Sequence, residues 1–306
     1  MKTRGLSVVL GTYNRRSYLK LTVRSIRKEL EASDFPHEII IVDGGSTDGT
    51  ISWLAKQKDI VSIIQPNRGK WKGKSIERRS WGYFMNLGFK CAQGKYVCML
   101  SDDCLVVPGA IRNGVAYFEK MLSEGVNPGA LAFYFLDYPG EREYAVARLG
   151  KYKYVYVNHG MYLNEALRSV GYADEVSYRF YTGDIDLCFR MISKGYSVEP
   201  CPESKIIHFS HINVRARLSN ELLLLEDTDM LRNRWPLVFA ESSPVAYRAV
   251  LPNVRLTNQD LYQGSLVQYL TITRSRLFIR LMASKATRWI VRALRRYPLT
   301  KKLAGL

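Results

Sequence analysis

The 306-residue chain contains no stretch of about 18 uncharged apolar residues, the length that a bilayer-spanning helix requires. Its opening, MKTRGLSVVLGTYNRR, has only a short apolar run, too brief for a secretory h-region. The five cysteines (Cys91, Cys98, Cys104, Cys188, Cys201) are odd in number, and none stands in CxxC spacing. That pattern argues against a disulfide framework and against a zinc site, and a reducing cytoplasm is the expected location. A G-x-G-x-x-G turn is missing after the first apolar segment, where GTYNRR stands, which disfavours a dinucleotide-binding dehydrogenase. Finally, the segment from Leu261 to Leu306 has no acidic residue.

What that segment does have is positive charge: Arg274, Arg276, Arg280, Lys285, Arg288, Arg292, Arg295, Arg296, Lys301 and Lys302, within a chain of net charge +17. Leu277, Leu281, Ala283 and Ser284, followed by Trp289, Ile290, Ala293, Leu294 and Tyr297, show spacings of three and four that gather on one side of a helix. A basic amphipathic helix with Trp on its apolar side is suited to an anionic membrane surface, each cation near the surface contributing roughly 1 kcal/mol. The expectation is a peripheral protein on the cytoplasmic face of a membrane, held by residues 261–306. A C-terminal helix packed on the main domain with a solvated basic face is the plainer alternative. The charge is concentrated in this tail and no nucleic-acid motif accompanies it, so no nucleic-acid partner is expected.

With 47% hydrophobic residues, the chain has enough apolar material for a sizeable core. LSVVLGTYN is a continuous apolar run, and Leu19, Val23, Ile26 and Leu30 follow at helical spacing. HEIIIVDGGSTDGT is a second such run with a Gly- and Asp-rich end, leading to a helix from TISWLAKQ. Then come VSIIQP, a helix in SWGYFMNLGFKCAQG, and the strand KYVCML. Apolar strands alternating with amphipathic helices imply an α/β fold, with a mostly parallel sheet covered on both faces. A catalytic domain over 1–215 and a helical, basic region over 216–306 are expected, with LSNELLLLEDTDMLRNRWPLVF supplying helices beside the acceptor cleft.

Ligands of such sheets bind at the carboxyl ends of the strands. Three strand ends are polar: TYNR at 12–15, DGGSTDGT at 43–50 and SDD at 101–103. The adjacent Asp102 and Asp103 repel one another and are costly to desolvate, so a cation or polar ligand is expected to offset them.

These stretches, in this order, resemble the GT-A fold glycosyltransferases of family 2, inverting enzymes that include rhamnosyl-, galactofuranosyl- and other polysaccharide-building transferases. IIIVDGGSTDGT is similar to the family's V-D-x-x-S-x-D-x-T turn. PNRGKWKGKS and MNLGFKCAQGKYVCMLSDD are similar to its N-x-G, N-x-G and A-x-G-x-Y series before a D-x-D site. YTGDIDLCFRMISKGYSVEPCPESKIIHFSH is similar to its D-x-D-L-x-x-R segment and the histidine that follows. The resemblance spans roughly residues 5–211 and implies a Rossmann-like sheet and transfer of a sugar from a nucleotide-sugar donor to a saccharide or lipid-linked saccharide.

The resemblance implies a role for each matched residue. Asp103 ligates Mn2+ or Mg2+, and His208 is a second ligand, with His211 its nearby alternative. Asp102 takes either ribose or metal contacts, with Ser101 where the first acid of D-x-D usually stands. Asp184 is the general base, and the acid usually before it is Gly183; Asp186 either caps the following helix or exchanges roles with Asp184. Thr12, Tyr13, Asn14, Arg15 and Asp43 line the donor nucleotide, Asp43 accepting from the base's imide N–H, which favours a UDP- or dTDP-sugar and admits GDP. Ser46, Thr47 and Asp48 are expected to cap the next helix. The basic loop NRGKWKGKSIERRS either folds over the diphosphate or is solvated, and Met85 replaces the family's usual Arg. Because Gly183 and Ser101 replace acids, a catalytically silent GT-A-like scaffold or membrane-surface binding protein is the alternative.

Overall fold

A computed structural model describes residues 4–67, 69–138, 141, 143–149, 154–209, 214–239 and 254–255. Its frame is laid down by two buried apolar runs, β1 (Arg4–Thr12) and, after α1 (Arg16–Glu31), β2 (His37–Asp43). They pair in parallel with Thr12 opposite Asp43, so both polar ends reach the same edge. A short α2 (Thr50–Leu54) leads to β3 (Ile60–Ile64), parallel to β2.

A hairpin of β4 (Lys70–Trp71) and β5 (Lys74–Ser75) stands off the sheet, its turn made by Lys72 and Gly73, both at positive φ. After it, α3 (Trp81–Cys91) returns the chain to β6 (Gly94–Ser101), which lies against β1 on the side opposite β2, with Gly11 facing Ser101. The strand order therefore reverses between β1 and β6, and the crevice outside their carboxyl ends is where such sheets take ligands.

Beyond β6 the sheet becomes mixed. The elements are β7 (Cys104–Val106), α4 (Ala110–Ser123), β8 (Pro128–Tyr138), β9 (Glu143–Val146), β10 (Arg148–Leu149), β11 (Tyr154–Val155), β12 (Gly160–Leu163), α5 (Asn164–Ser169), α6 (Gly183–Ser193), β13 (Ser197–Phe209) and α7 (Val214–Arg234), then a 3-10 turn at Pro236–Phe239 and β14 (Val254–Arg255). The order across the sheet is β14-β9-β8-β12-β6-β1-β2-β3, with β13 parallel to β8 and β7 paired to β13. β12 is antiparallel to both β6 and β8.

Both faces of the sheet are covered. Gly88 of α3 sits so close to Val9 that an added Cβ would lie 2.5 Å from its side chain. α1 is stapled to the β7 segment: Thr22 Oγ1 accepts from Cys104 N at 3.0 Å and Ser25 Oγ from Val106 N at 3.1 Å. A second, smaller core of Tyr154, Tyr178, Ile185, Phe189 and Leu231 joins α7 to α6. α7 is one helix running across residue 215, and β14 is a strand in a stretch expected to be helical, because Val254 and Arg255 complete the free edge of β9. The amphipathic tail, 261–306, lies outside the described residues. All five cysteines are free thiols, and no helix among the described residues is long and apolar enough to cross a membrane.

Candidate active site

The strand ends converge as their register dictates. Thr12 Oγ1, at the end of β1, donates to Asp102 Oδ2 at 2.7 Å across the crevice between β1 and β6. Arg15, just before α1, lies over the aspartate pair, its Nη1 2.8 Å from Asp102 Oδ1 and 3.1 Å from Asp103 Oδ2. Asp102 and Asp103 are 3% and 2% exposed, so this guanidinium is the cation that their adjacency called for. Burial works against the charge on Arg15, but Asp102 and Asp103 outweigh it and hold it firmly protonated. Burial also raises the Asp102 carboxyl, which Arg15 opposes. Thr12 on one oxygen and Arg15 on the other fix the orientation of the Asp102 carboxylate at the crevice.

An imidazole faces Asp103 from β13. Phe209 N donates to the backbone oxygen of Asp103 at 2.9 Å, which aligns His208 so that its Nε2 lies 3.3 Å from Asp103 Oδ1. The other ring nitrogen, Nδ1, is 2.6 Å from Asp137 Oδ1, at the end of β8. Burial disfavours charge on the ring, but Asp103 and Asp137 raise its pKa to about 10. His159, just before β12, lies with its ring 5.4 Å from that of His208 at a tilt of 47° and stays neutral, its pKa lowered by burial and by that neighbour to about 3.

The fit of a divalent cation follows from this donor set. Among the described residues no group of three or more His, Cys, Asp or Glu is arranged to enclose an ion. Asp103 and His208 nevertheless present one carboxylate oxygen and one imidazole nitrogen to each other; an ion there would take the place of the Nε2 proton, and Mg2+ or Mn2+ characteristically combines one or two protein ligands with phosphate oxygens and water. Asp137 behind His208 is the carboxylate–histidine arrangement that orients a ligating ring. The residues fit such an ion. His211 lies outside the described residues.

At β2, Asp43 is fully buried. Its Oδ1 accepts from Gly45 N at 2.8 Å and Ser46 N at 2.7 Å, while its buried Oδ2 has no hydrogen-bond partner among the described residues. A desolvated carboxylate oxygen without a donor is costly, so it points to a ligand N–H. Asn14, at φ 53°, ties the first two strand ends together: its N donates to Ser46 Oγ at 2.8 Å and its Oδ1 accepts from Thr47 N at 2.7 Å. Tyr13 packs at Gly44.

This corrects the capping expectation for Ser46 and Thr47. Ser46 and Thr47 do not cap α2, whose N-cap is Gly49 in the left-handed region without a side-chain cap. They are drawn instead to Asn14, while Asp48 accepts from Arg16 N at the start of α1 as well as from Thr50. Met85 is buried against Gly11, a packing residue under the crevice. In the basic loop Lys70, Lys72 and Lys74 are exposed, and Arg78 lies over the Phe180 ring at 5.3 Å.

Asp184 belongs to a neighbouring cluster, in the first turn of α6. Half-buried, its Oδ1 accepts from Ile185 N at 2.9 Å, and burial raises its pKa to about 6 against the lowering effect of the backbone N–H groups. The preceding Thr182 is in the left-handed region at φ 60°. Gly183 closes on the Trp81 ring, which a Cβ would approach to 3.1 Å, so an acid there would require the indole to give by a few tenths of an ångström.

Asp186 does not cap α6. Fully buried, it accepts from Tyr178 Oη at 3.1 Å, Trp235 Nε1 at 2.9 Å and Arg190 Nε at 2.7 Å, a structural hub. Sequence reasoning missed Asp137 and Asp227. Asp137 carried a usable signal, an acid ending the apolar run GALAFYFLD, whereas Asp227 lies in an ordinary charged helix.

The family described as Glycosyl transferase family 2 matches residues 7–160. An uncharacterized glycosyltransferase of Haemophilus influenzae is 29% identical over 115 residues, 38% of this chain and 33% of that protein. A putative teichuronic acid biosynthesis glycosyltransferase of Bacillus subtilis is 34% identical over 106 residues, 32% of this chain and 35% of the relative. The chain thus aligns with about a third of the length of these relatives. Among solved structures, a mannosyltransferase from Pyrobaculum calidifontis in complex with GDP-Man and Mn2+ superposes with a TM-score of 0.54 at 18% identity, covering 100% of this chain and 84% of that one. S. aureus TarS 1-349 in complex with UDP superposes at 0.52 and 14% identity, covering 78% and 70%. At these identities the likeness is one of fold.

Proposed function

The chain belongs to glycosyl transferase family 2, and on that premise we propose that it transfers a sugar, with inversion, from a nucleotide-sugar donor to a saccharide or lipid-linked acceptor, with divalent-metal assistance. The observation that carries this reading is the convergence of Thr12, Arg15, Asp43, Asp102, Asp103 and His208 on one crevice at the carboxyl edge of the sheet. Solved neighbours that hold GDP-Man with Mn2+, or UDP, support a nucleotide-sugar donor.

In this reading Asp43 Oδ2 accepts the N–H edge of the base, which suits uracil, thymine or guanine. Asp103 and His208 would hold the cation, with Asp137 keeping the His208 ring turned toward it. A bound divalent cation supplies positive charge to the diphosphate as it departs. Arg15 adds a fixed positive charge at the same place. Asp184 takes the proton of the acceptor hydroxyl as that oxygen attacks the anomeric carbon from the face opposite the leaving group. One base and no covalent nucleophile suffice for inversion. A pKa of about 6 leaves Asp184 ionised at neutral pH yet basic enough to accept a proton.

The test is a thermal-shift panel of UDP, dTDP, GDP and CMP, each with and without Mn2+, on wild type, Asp43→Asn and Asp103→Ala. One nucleotide should stabilise wild type; at 100 times its dissociation constant binding adds about 2.7 kcal/mol. The Mn2+-dependent part should vanish in Asp103→Ala, and the preference among bases should weaken in Asp43→Asn. No shift with any nucleotide would favour a silent scaffold.

A further inference from the structure

The segment that delivers Asp184 is held by a carboxylate far along the chain. Three consecutive backbone donors, Arg179 N, Phe180 N and Tyr181 N, converge on the Asp227 carboxylate at 2.8, 2.8 and 2.6 Å. Thr182 Oγ1 donates to the backbone oxygen of Asp227 at 3.1 Å. Successive N–H groups pointing inward form a nest, a concavity that binds an anion; here the anion is a side chain of α7, 1% exposed. The residue immediately after the nest is Thr182, in the left-handed region that costs a non-glycine residue about 1–2 kcal/mol and persists only where neighbours impose it. Asp184 follows two residues later.

α7 is fixed from the other side of Asp184 as well. Trp235 Nε1 bonds the buried Asp186, Arg234 Nη1 lies 2.6 Å from Asp174, and Leu231 enters the core formed by Tyr178, Ile185 and Phe189. Asp227 contacts the loop backbone alone, whereas Leu231 contributes packing alone, so the two separate positioning from stability.

We propose that Asp227 is a positioning residue for the transfer reaction: by gathering the N–H groups of 179–181 it imposes the Thr182 turn and so aims Asp184 at the acceptor hydroxyl. This rests on Asp184 being the base. The consequence is confined to the chemical step, because the donor crevice is built from β1, β2, β6 and β13 and has no part in the nest. A misplacement of about 1 Å costs up to about 100-fold in rate.

The experiment uses the full-length chain and nucleoside-diphosphate release from whichever of UDP-GlcNAc and GDP-mannose, with Mn2+, it turns over. Asp227→Asn, Asp227→Ala, Asp184→Asn, the double variant Asp184→Asn/Asp227→Ala and Leu231→Ala are compared at a temperature where all are folded. The expected result is a kcat lowered about 10- to 100-fold in Asp227→Ala and less in Asp227→Asn, with donor KM and the nucleotide-induced thermal shift unchanged. The double variant should be no slower than Asp184→Asn alone.

Leu231→Ala should lower Tm while keeping kcat. If Leu231→Ala loses kcat as Asp227→Ala does at equal Tm loss, Asp227 only stabilises the fold and the proposal is overturned. Unchanged kcat in Asp227→Ala with a dead Asp184→Asn overturns the positioning role alone. Full turnover in Asp184→Asn overturns the base assignment and, with it, this inference.

Discussion

Asp184 is under two opposed demands, for ionisation and for burial. Its raised pKa means that the folded protein binds the proton more tightly than the unfolded chain, so the site is most stable below about pH 4 and loses stability as pH rises through about 6. On the proposal that Asp184 is the base, catalysis runs the other way, since a base works only when ionised. Asp184→Asn is therefore expected to lower kcat by about 10^2- to 10^4-fold and yet raise stability at pH 7.5 by about 1–2 kcal/mol, with the gain fading toward pH 4. A pH–rate profile of wild type should show an acidic limb near 6, and thermal melts of both proteins across pH 4–8 check the crossover. Arg15 has the converse role. Arg15→Met removes the guanidinium from two buried carboxylates and should destabilise the protein by about 1–3 kcal/mol, with Mn2+ restoring part of the lost Tm by supplying charge at Asp103.

Among the elements, α3 shows how close packing can reverse an intrinsic preference. Alanine in place of a helix-interior glycine ordinarily adds about 1 kcal/mol of helix stability. At Gly88 the added methyl would meet Val9 at 2.5 Å and Val42 at 3.2 Å, so Gly88→Ala should instead lower stability by about 1–3 kcal/mol in a denaturant titration. The elements legible in the sequence were those whose apolar pattern is continuous. β1, β2, β3 and β6 run within a residue or two of LSVVLGTYN, HEIIIVD, VSIIQP and KYVCML; β1, β2 and β6 are buried along most of their length and so are mostly apolar, while β3 is an edge strand marked by its β-branched residues even though Val61 and Ile64 are exposed. The β4–β5 hairpin is exposed and carries no such mark, and β14 exists only because β9 offers it an edge. The three polar strand ends were readable for the same reason as the strands, each being an abrupt end to an apolar run. Their mutual bonding was not: that Ser46 and Thr47 serve Asn14 rather than α2, or that Asp227 serves the loop at 179–181, depends on tertiary approach rather than on local pattern.

For the whole molecule, the basic segment 261–306 is expected to bring the enzyme to an anionic surface. The full-length chain should sediment with phosphatidylglycerol vesicles at 50 mM salt, stay in solution with neutral phosphatidylcholine vesicles, and be released as salt shortens the Debye length to about 3 Å near 1 M. Indifference to the anionic vesicles would leave that segment to pack on the protein instead. The order in which the parts are synthesised adds a consequence. Everything that lines the donor crevice, from Thr12 to His208, leaves the ribosome before Asp227 does. A chain ending between the two keeps every group proposed to hold nucleotide sugar and loses the clamp on the proposed base, so in this reading the capacity to hold donor is laid down in the chain before the capacity to use it.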